Sequence, residues 1–415
     1  MNIAIIHSRL NSKGGTQRHV LAMACALQDL GHRVTVYAMA YDREKCYPSL
    51  LSQLKIVSLA GYDTEAQKVN LPFLKFLNYF LYSRNETREA ARLAKMIESG
   101  TEILCPFDRL AYRTAVYYKK NIRAICSIAI MDDIYLRVWA EWRKSQFDPQ
   151  YVLPLRRKFF YKIIDWYESR KYILPHERFV VLDTRTMEWA KKFFKKDADI
   201  VRNGLDLQGF PFFEHSLRQE KHVCLLSTGI FFLHRRYEDI LHAVKILRSE
   251  GIDAELALVG GYSGEHRRYY EALKKLAEEL GIGPRVFFLG NVSDAELLEQ
   301  YKKGDIYISA NHLQSWGLAP FEAMASGMPT IISNSTGAAE VLTDRVNALL
   351  IPSKSPEHIA SAVRELLEKP ELYAALARSG RKLVETEITW QNTARGLERI
   401  MNNESRIMNE SFHNS

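Results

Sequence analysis

The chain has 415 residues, of which 47% are hydrophobic and 26% are charged. These ordinary globular values exclude a disordered or fibrous protein, and the length exceeds what one hydrophobic core usually supports, so two domains are expected. The net charge of +8 is uneven: residues 1–205 carry 34 Lys and Arg against 21 Asp and Glu, whereas the remainder is acidic. This imbalance supports two domains and indicates that the first one meets an anionic partner.

The N-terminal residues, the apolar stretches and the cysteines indicate the cellular compartment of the protein. Residues 1–10 lack the basic start and the apolar core of roughly 7–15 residues that a secretion signal has. The sequence contains no uninterrupted apolar stretch of about 18 residues, which a spanning helix needs. Its five cysteines are scattered and never spaced as C-x-x-C, which argues against a disulfide scaffold or a structural zinc site. A cytoplasmic, enzyme-sized protein is therefore expected.

Short apolar runs alternate with helical stretches along the chain, a pattern typical of parallel sheets wrapped by helices. In the first half the pattern predicts a helix at residues 14–30 and strands at 2–7, 33–38, 102–105, 123–130 and 178–182. The cycle restarts with strands at 222–228, 255–259, 286–289, 306–309 and 330–333 and with helices at 237–250, 266–280, 294–303 and 318–326. The sequence therefore predicts two doubly wound domains, 1–205 and 206–380. The tail from about residue 357 is expected to be helical, and the polar residues 402–415 are expected to be frayed.

Much of the positive charge lies between residues 137 and 171, where basic and aromatic residues are interleaved. This interleaving has two explanations. The segment either forms a surface that docks on anionic lipid headgroups, or it forms a pair of ordinary helices with buried rings and solvated charges. Nucleic acid is not an expected partner, because no recognised motif accompanies the charge. The residues assigned to a membrane or acceptor surface are Trp139, Trp142, Arg143, Lys144, Arg156, Arg157 and Lys158.

Gly14 and Gly15 stand between the first predicted strand and the first helix. A glycine pair there lets backbone N–H groups approach an anion at the positive end of the helix, although such glycines also serve simply as tight turns. The surrounding residues match neither G-x-G-x-x-G nor a phosphate-binding P-loop. A dinucleotide dehydrogenase and a P-loop enzyme are therefore not expected.

The most informative run is NHLQSWGLAPFEAMASGMP, residues 311–329. The N–H groups of Gly317 and Leu318 at a helix start suit a diphosphate, and the carboxylate of Glu322 one turn later can accept hydrogen bonds from both hydroxyls of a ribose. The alternative explanation is that Glu322 is simply a solvated residue on the helix surface. Its neighbours Phe321 and Met324 are apolar, however, and an unpaired charge among buried residues is expensive.

Together with TGAAEV at residues 336–341, this run resembles the donor-nucleotide motif of the family 4 (group 1) glycosyltransferases of the GT-B fold. Further similarities follow in the family's order over nearly the whole chain. They are GGTQRH at 14–19 for its G-G-x-x-x-H, NGLD at 203–206 for its N-G-V-D, Gly229 with RRYED at 235–239, VGG at 259–261, and TWQ at 389–391 for the start of its closing helix.

The resemblance implies an α/β fold of two doubly wound Rossmann-like domains facing across a cleft. Residues 1–205 would bind the acceptor and residues 206–380 the nucleotide sugar, and a closing helix within 381–415 would return to the first domain and end in a frayed tail. It also implies a retaining transferase of the hexosyltransferase type that uses a GDP- or UDP-linked sugar and needs no metal or other cofactor. The expected acceptor is lipid-linked or a glycan in cell-surface glycan synthesis. The expected location is the cytoplasm, with peripheral attachment to the inner face of the plasma membrane.

The resemblance also assigns roles to individual residues. Arg235 would neutralise the leaving diphosphate, Gln314 would orient the donor sugar, and Asp132 is a third catalytic candidate. The implied donor-binding set comprises Gly14, Gly15, Gly229, Arg235, Arg236, Gln314, Ser315, Gly317, Leu318 and Glu322.

Three positions depart from the family pattern. Gln314 stands where the family has Glu and cannot carry charge, and Ile230 replaces a usual Arg. A loop that often carries His in relatives offers only Asp132 and Asp133, which are equally explained as solvated carboxylates. A catalytically inactive nucleotide-sugar-binding protein of the same fold is therefore the alternative. The D-x-D at residues 197–199 lies in a lysine-rich segment and is not interpreted as a metal site.

Overall fold

The computed structural model describes residues 1–59, 75–147, 151–215, 222–262 and 264–413. The chain forms two compact units, of which unit 1 comprises Met1–Arg202 with Trp390–Ser415 and unit 2 comprises Asn203–Thr389. Unit 2 thus begins before residue 206 and ends well beyond residue 380. The helix Pro370–Thr386 explains the later end, because it places Tyr373 and Leu376 in the core of unit 2.

Unit 1 is built on a parallel seven-stranded sheet of order β3-β2-β1-β4-β5-β6-β7. Its central strands are continuous apolar runs, and β4 and β5 are buried along their whole length, as expected for strands covered by helices on both faces. The strands are β1 (Asn2–Leu10), β2 (Arg33–Tyr41), β3 (Lys55–Ser58), β4 (Ile103–Pro106), β5 (Cys126–Met131), β6 (Arg178–Val181) and β7 (Ala198–Ile200).

The helices of unit 1 cover this sheet. They are α1 (Gly15–Asp29), α2 (Pro48–Leu51), α3 (Lys75–Ala94), α4 (Arg109–Asn121), α5 (Arg137–Phe147), α6 (Leu155–Glu168), α7 (Thr184–Phe194) and, after the helices of unit 2, α14 (Trp390–His413). Asp108 caps α4 by accepting hydrogen bonds from the N–H groups of Leu110 and Ala111. Leu397 and Met401 bury α14 in the core that α1 shares with the sheet, so the C-terminal helix belongs to unit 1.

Unit 2 repeats the architecture with a parallel six-stranded sheet of order β10-β9-β8-β11-β12-β13. Its strands are β8 (His222–Thr228), β9 (Asp253–Val259), β10 (Val286–Gly290), β11 (Ile306–Ser309), β12 (Thr330–Ser333) and β13 (Leu349–Ile351). Its helices are α8 (Tyr237–Ser249), α9 (Arg267–Glu279), α10 (Asp294–Lys303), α11 (Ala319–Ala325), α12 (Pro356–Glu368) and α13 (Pro370–Thr386). A buried hydrophobic cluster of strand and helix residues, among them Leu225 of β8 and Ile240 of α8, forms a core of the unit.

Each sheet reverses its strand order at one point. In unit 1 this switch point lies between β1 and β4, and in unit 2 it lies between β8 and β11. In open parallel sheets, ligands bind outside the carboxyl ends of the strands at the switch point. The loops after these four strands are therefore where a site is expected in each unit.

The two parallel, helix-covered sheets confirm the predicted α/β class. The short strands β3, β7 and β13 were not among the predicted elements. The expected frayed tail is instead the end of α14, which continues to His413 because buried Glu404 pairs with Arg178; residues 414–415 lie outside the described part. None of the helices within the described ranges combines the length and the apolar character needed to cross a membrane.

Candidate functional site

The switch point of unit 2 brings two predicted donor residues into contact. Arg235 ends a short 3-10 turn after β8, and Gln314 lies in the loop after β11. Nη1 of Arg235 donates to Oε1 of Gln314 at 3.4 Å, and Nδ2 of Asn311 donates to the same oxygen. A cation and a polar amide far apart in sequence therefore meet where a parallel sheet binds its ligand.

Two glycines of the predicted set make room for these side chains. Gly229 has φ +141°, and a Cβ there would lie 2.8 Å from Cζ of Arg235. Gly317 has φ +84°, and a Cβ there would lie 2.6 Å from Nε2 of Gln314. Any other residue at either position would be strained and would displace the neighbouring side chain. The structure thus gives both glycines a role in shaping the site.

Arg235 retains an unused donor. Its Nε is buried and has no acceptor among the described residues. Two buried tyrosines, Tyr237 and Tyr307, lie close to its charge; burial raises the pKa of Tyr307 to about 12, even though Thr228 and Arg235 act to lower it. Both phenols therefore stay neutral, so neither carries a negative charge that would offset the positive charge of the guanidinium. This arrangement suits an anionic ligand such as a diphosphate.

Glu322 is buried in α11 and already has a partner inside the protein. Its Oε2 accepts a hydrogen bond from the hydroxyl of Tyr301 at 2.9 Å. Burial, with the Glu322 charge next, raises the pKa of Tyr301 well above its usual range, so the phenol remains the donor. The carboxylate of Glu322 therefore lies one turn into α11 beside a neutral phenol, and its assignment to the ribose stays a prediction.

The helix carrying Glu322 begins later than predicted. α11 starts at Ala319 with Leu318 as its N-cap, because Pro320 is favoured in a first turn, whereas Gly317 lies outside the helix. The loop before it is fixed by Gly337, whose N–H group contacts the carbonyl oxygens of Gln314 and Ser315. Ser315 and Gly317 therefore lie in a loop clamped by the residues that follow β12, and only Leu318 stands at the helix start.

Arg236 does not join Arg235. Its guanidinium forms a bidentate pair with Asp239 at 2.8 and 2.7 Å and a further ion pair with Glu238 at 2.6 Å. Burial disfavours the charged form, but Asp239 and Glu238 outweigh it and hold the pKa of Arg236 above its ordinary value. Arg236 is thus occupied at the start of α8, which corrects its assignment to the diphosphate. The half-exposed Ile230 supplies no charge in its place.

The glycine pair of unit 1 is less constrained than the glycines of unit 2. Gly14 is the extended N-cap of α1 with φ −170°, and a Cβ at Gly15 would meet open space. The fold therefore does not require glycine at position 15. The assignment of Gly14 and Gly15 to the donor stays a prediction.

Asp132 is a partner of His19 rather than a solvated carboxylate. Its Oδ1 lies 2.8 Å from Nδ1 of His19 at the end of β5. The His19 ring is 2% exposed and packs against Phe107 and Trp390, with ring centroids 4.9 and 6.0 Å away. His19 is the last residue of the G-G-x-x-x-H motif, which is the sequence signal that points to this pair.

A polar pocket of about 340 Å³ lies at the switch point of unit 1, and the sequence analysis did not identify it. His7 and Arg9 of β1, Asp108 and Arg109 after β4, and Glu86 of α3 line it. Arg109 forms an ion pair with Glu86 and lies 3.0 Å from Oε1 of Glu168, which is not part of the lining. Charged side chains facing one cavity at the carboxyl ends of strands suit a hydroxyl-rich or anionic ligand.

Arg109, Arg113 and Arg137 surround Glu168 beneath this pocket, at 3.0, 2.6 and 2.8 Å. Burial alone would raise the pKa of Glu168, but Arg109 and Arg137 outweigh it and lower this pKa to about 2. Glu168 therefore stays ionised and holds the arginine side chains in place.

The predicted membrane residues on α5 differ in exposure, since Trp142 is 41% exposed and Trp139 only 5%. The ring of Trp139 stacks on Trp142 and lies tilted against Trp189, with centroid distances of 4.6 and 3.8 Å. Arg143 pairs with Asp133, and Lys144 and Arg157 lie 3.6 and 3.7 Å from buried Glu141. Trp139 therefore does not lie on an exposed membrane-facing surface, because its ring belongs to the core, and its assignment to the acceptor stays a prediction.

The exposed apolar surface lies on α6 instead. Leu155, Phe159 and Trp166 are 82%, 68% and 60% exposed and Ile163 is also exposed, at spacings that place them along one side of the helix. The exposed basic residues Arg156, Lys158 and Lys162 lie between them. We call the four apolar side chains together with these three cations the α6 surface.

Comparison with known proteins finds a family match within unit 2. Residues 211–383 match the family described as glycosyl transferases group 1. A D-inositol 3-phosphate glycosyltransferase of Rhodococcus opacus is 32% identical over 55% of this chain and 54% of its own length. An uncharacterized glycosyltransferase of Methanocaldococcus jannaschii is 29% identical over 43% and 44% of the two chains. A GDP-mannose-dependent alpha-(1-6)-phosphatidylinositol monomannoside mannosyltransferase of Mycobacterium tuberculosis is 29% identical over 38% and 41%.

The matched segment contains the Arg235–Gln314 contact, which therefore lies in the part of the chain that is similar to the group 1 glycosyltransferases. The chain spans about half the length of the curated relatives it matches. Over nearly the whole chain, the fold is that of GT-B glycosyltransferases. The crystal structure of Anabaena Alr3699/HepE in complex with UDP covers 97% of this chain and 100% of its own, with a TM-score of 0.68 and 13% identity.

Proposed function

We propose that the protein is a retaining glycosyltransferase that moves a sugar from a UDP- or GDP-linked donor to a lipid-linked or glycan acceptor. The observation that carries the proposal is the contact of Arg235 with Gln314 at the switch point of unit 2, inside the segment that matches the family. The names of relatives point the same way, since they include transferases that use GDP-mannose or act on inositol phosphate.

Arg235 serves the departing nucleotide. When the bond between the sugar and the diphosphate breaks, negative charge grows on the diphosphate, and a fixed cation stabilises that charge most in the transition state. The Nη groups of Arg235 can donate to phosphate oxygens, and the side chain is already positioned between Gly229 and Gln314. This charge replaces the one that a metal ion would supply, so we propose that the reaction is metal-independent.

Gln314 and Glu322 position the rest of the donor. The Gln314 amide can both donate to and accept from sugar hydroxyls, whereas the family's Glu can only accept when ionised. The carboxylate of Glu322, one turn into α11, accepts hydrogen bonds from the ribose hydroxyls. Leu318 offers its N–H group at the start of α11.

The acceptor side of the proposal rests on unit 1. Its polar pocket holds Arg9, Asp108 and Arg109, which suit hydroxyl or phosphate groups on an acceptor head. The α6 surface combines exposed rings with cations, a composition that suits the interface of an anionic bilayer. We propose on this basis that the protein works as a peripheral protein at the inner face of the plasma membrane, in the synthesis of a cell-surface glycan or glycolipid.

The alternative is a nucleotide-sugar-binding protein without transferase activity. Gln314 and Ile230 favour it, because each removes a charge that the family pattern carries. The two candidates agree on donor binding and differ only in turnover.

A transfer assay with radiolabelled UDP- and GDP-sugars tests the proposal. Membrane lipid extract and oligosaccharides serve as acceptors, and chelator is present throughout. Transfer that persists in chelator, with the anomeric configuration of the donor retained in the product by NMR, supports the proposal. Tight nucleotide binding without transfer to any acceptor supports the inactive alternative. If neither the UDP- nor the GDP-sugars raise the melting temperature, both candidates fail, because a ligand of the native state stabilises it.

A further inference from the structure

Unit 1 contains an apolar cavity of about 620 Å³ to which no role has been given above. α5, the segment 151–155, Lys158 of α6 and the end of α7 line it. Three tryptophans form much of the wall, namely Trp139, Trp142 and Trp189. Small-molecule sites measure about 300–1,000 Å³, so the cavity has the size of a binding site.

The cavity is open to the surface and is not a void in the core, since Val152 of its lining is 79% exposed. Packed rings form its wall: Trp139 stacks on Trp142 at 4.6 Å and lies tilted against Trp189 at 3.8 Å, measured between ring centroids. Leu155 lines the cavity and is also 82% exposed on the α6 surface, so the cavity is continuous with that surface.

Cations stand at this otherwise apolar cavity. Lys158 and Lys192 line it, and Lys192 also lines a neighbouring cavity of about 500 Å³ together with Glu188, Lys191, Lys195 and Asp197. The acid in the lining, Glu141, accepts from Tyr151 and lies 3.6 Å from Lys144 and 3.7 Å from Arg157, so its charge is balanced. The ligand that fits has an apolar chain and an anionic head.

We propose that this cavity binds one hydrocarbon chain of a lipid phosphate, whose phosphate lies at Lys158 and Lys192. The inference deepens the proposed function and rests on it in one respect: the lipid would be the carrier of the acceptor, drawn from the bilayer along the α6 surface. A volume of about 620 Å³ suits one chain rather than a whole two-chain phospholipid. The tryptophan wall gives a rigid contact, and the two lysines select the anionic head.

Quenching of tryptophan fluorescence by a brominated single-chain alkyl phosphate, kept below its aggregation threshold, tests the proposal. The full chain carries Trp166→Phe as background, which removes the exposed tryptophan of α6. We expect saturable quenching. Ser145→Phe, which fills the cavity, should weaken the apparent affinity at least tenfold, whereas Gln146→Phe on the same helix but outside the lining should leave it unchanged. Equal affinity in the two variants would overturn the proposal.

The role of the lysines is tested with a matched pair of charge reversals. Lys192→Glu should weaken alkyl phosphate binding about tenfold, and Lys120→Glu, an exposed lysine of α4, should leave it unchanged. A brominated alkanol of the same length should bind more weakly than the alkyl phosphate. Equal binding of the two would contradict the proposed phosphate site at the lysines. Quenching by brominated bilayer lipids alone, without quenching by the monomeric amphiphile, would show surface docking only and overturn the cavity site.

Melting-temperature shifts with UDP and GDP, measured on the same variants without lipid, separate this inference from the proposed function. A nucleotide shift that survives while lipid binding fails overturns the cavity proposal alone. Lipid binding without any nucleotide shift overturns the donor site alone.

Discussion

At the scale of single residues, Glu322 has a role in the protein and a proposed role toward the donor, and one substitution separates them. Glu322→Gln keeps the shape of the side chain and an oxygen for Tyr301 but removes the charge. A hydrogen bond to a charged group contributes about 1.5–3 kcal/mol, so nucleotide affinity should fall by roughly tenfold or more. Calorimetric titration with UDP and GDP measures this loss.

Tyr301→Phe is the matched control for Glu322→Gln. It removes the internal partner of Glu322 and leaves the carboxylate in place. We expect a lower melting temperature with donor affinity kept within a few fold. If Glu322→Gln binds nucleotide as the unchanged protein does, the ribose assignment is wrong and Glu322 is structural only.

At the scale of elements, the α6 surface is expected to bind anionic membranes. The triple substitution Phe159→Ser, Ile163→Ser and Trp166→Ser removes exposed apolar side chains without touching the core. Flotation with liposomes that contain anionic lipid should then fall several-fold. Binding of the unchanged protein should weaken from 0.1 M to 1 M salt, because the Debye length shrinks from about 10 Å to about 3 Å.

Phe287→Ser, on the exposed side of β10 in unit 2, is the control for the triple substitution and should float as the unchanged protein does. Equal flotation with neutral and anionic liposomes would contradict the role of the cations. No flotation with either would remove the membrane proposal.

Elements with strong periodicity were predictable from the sequence, and contacts between distant residues were not. The apolar runs of β1, β8 and β11 were enough to predict both doubly wound domains. The strands β3 and β13 were not predicted, because they are short edge strands whose sequences resemble loops. The segment 137–171 shows the limit most clearly. Its composition could not tell which rings face the core, and the structure buries Trp139 on α5 while it exposes Phe159 on α6.

The candidate site was predictable as far as its motifs reach. Arg235, Gln314 and Glu322 follow from the resemblance, but the pairing of Arg236 with Asp239 depends on a left-handed backbone at Arg236, with φ +55°, which no motif reveals. His19 and Asp132 are 113 positions apart and come together only through the sheet.

At the scale of the whole molecule, unit 1 should lose stability in acid through His176. Burial, followed by the charge of Lys119, lowers the pKa of His176 to about 3 from a usual 6.5. Between these values the unfolded chain binds a proton that the folded chain does not, so stability falls as the pH drops from about 6.5 toward 3. Protonation of Glu168, whose pKa is about 2 in the folded chain, reduces the stability further only below about pH 4.5.

Urea unfolding at several pH values from 7 to 4.5 measures this loss. His176→Gln has no titrating side chain and should show a shallower decline than the unchanged protein, although it is less stable at pH 7 because the ring contacts Ser127 and Tyr172. Parallel declines in the two proteins would show that another group controls the acid sensitivity.

The central claim is that the Arg235–Gln314 contact in unit 2 marks the diphosphate site of a nucleotide-sugar donor. Calorimetric titration of UDP and GDP into the unchanged protein, Arg235→Ala and Arg236→Gln tests it most directly. The account predicts that at least one nucleotide binds, that Arg235→Ala weakens this binding by roughly ten- to a hundredfold, and that Arg236→Gln keeps it, because Arg236 is committed to Asp239. Unchanged affinity in Arg235→Ala, or an equal loss in Arg236→Gln, would contradict it.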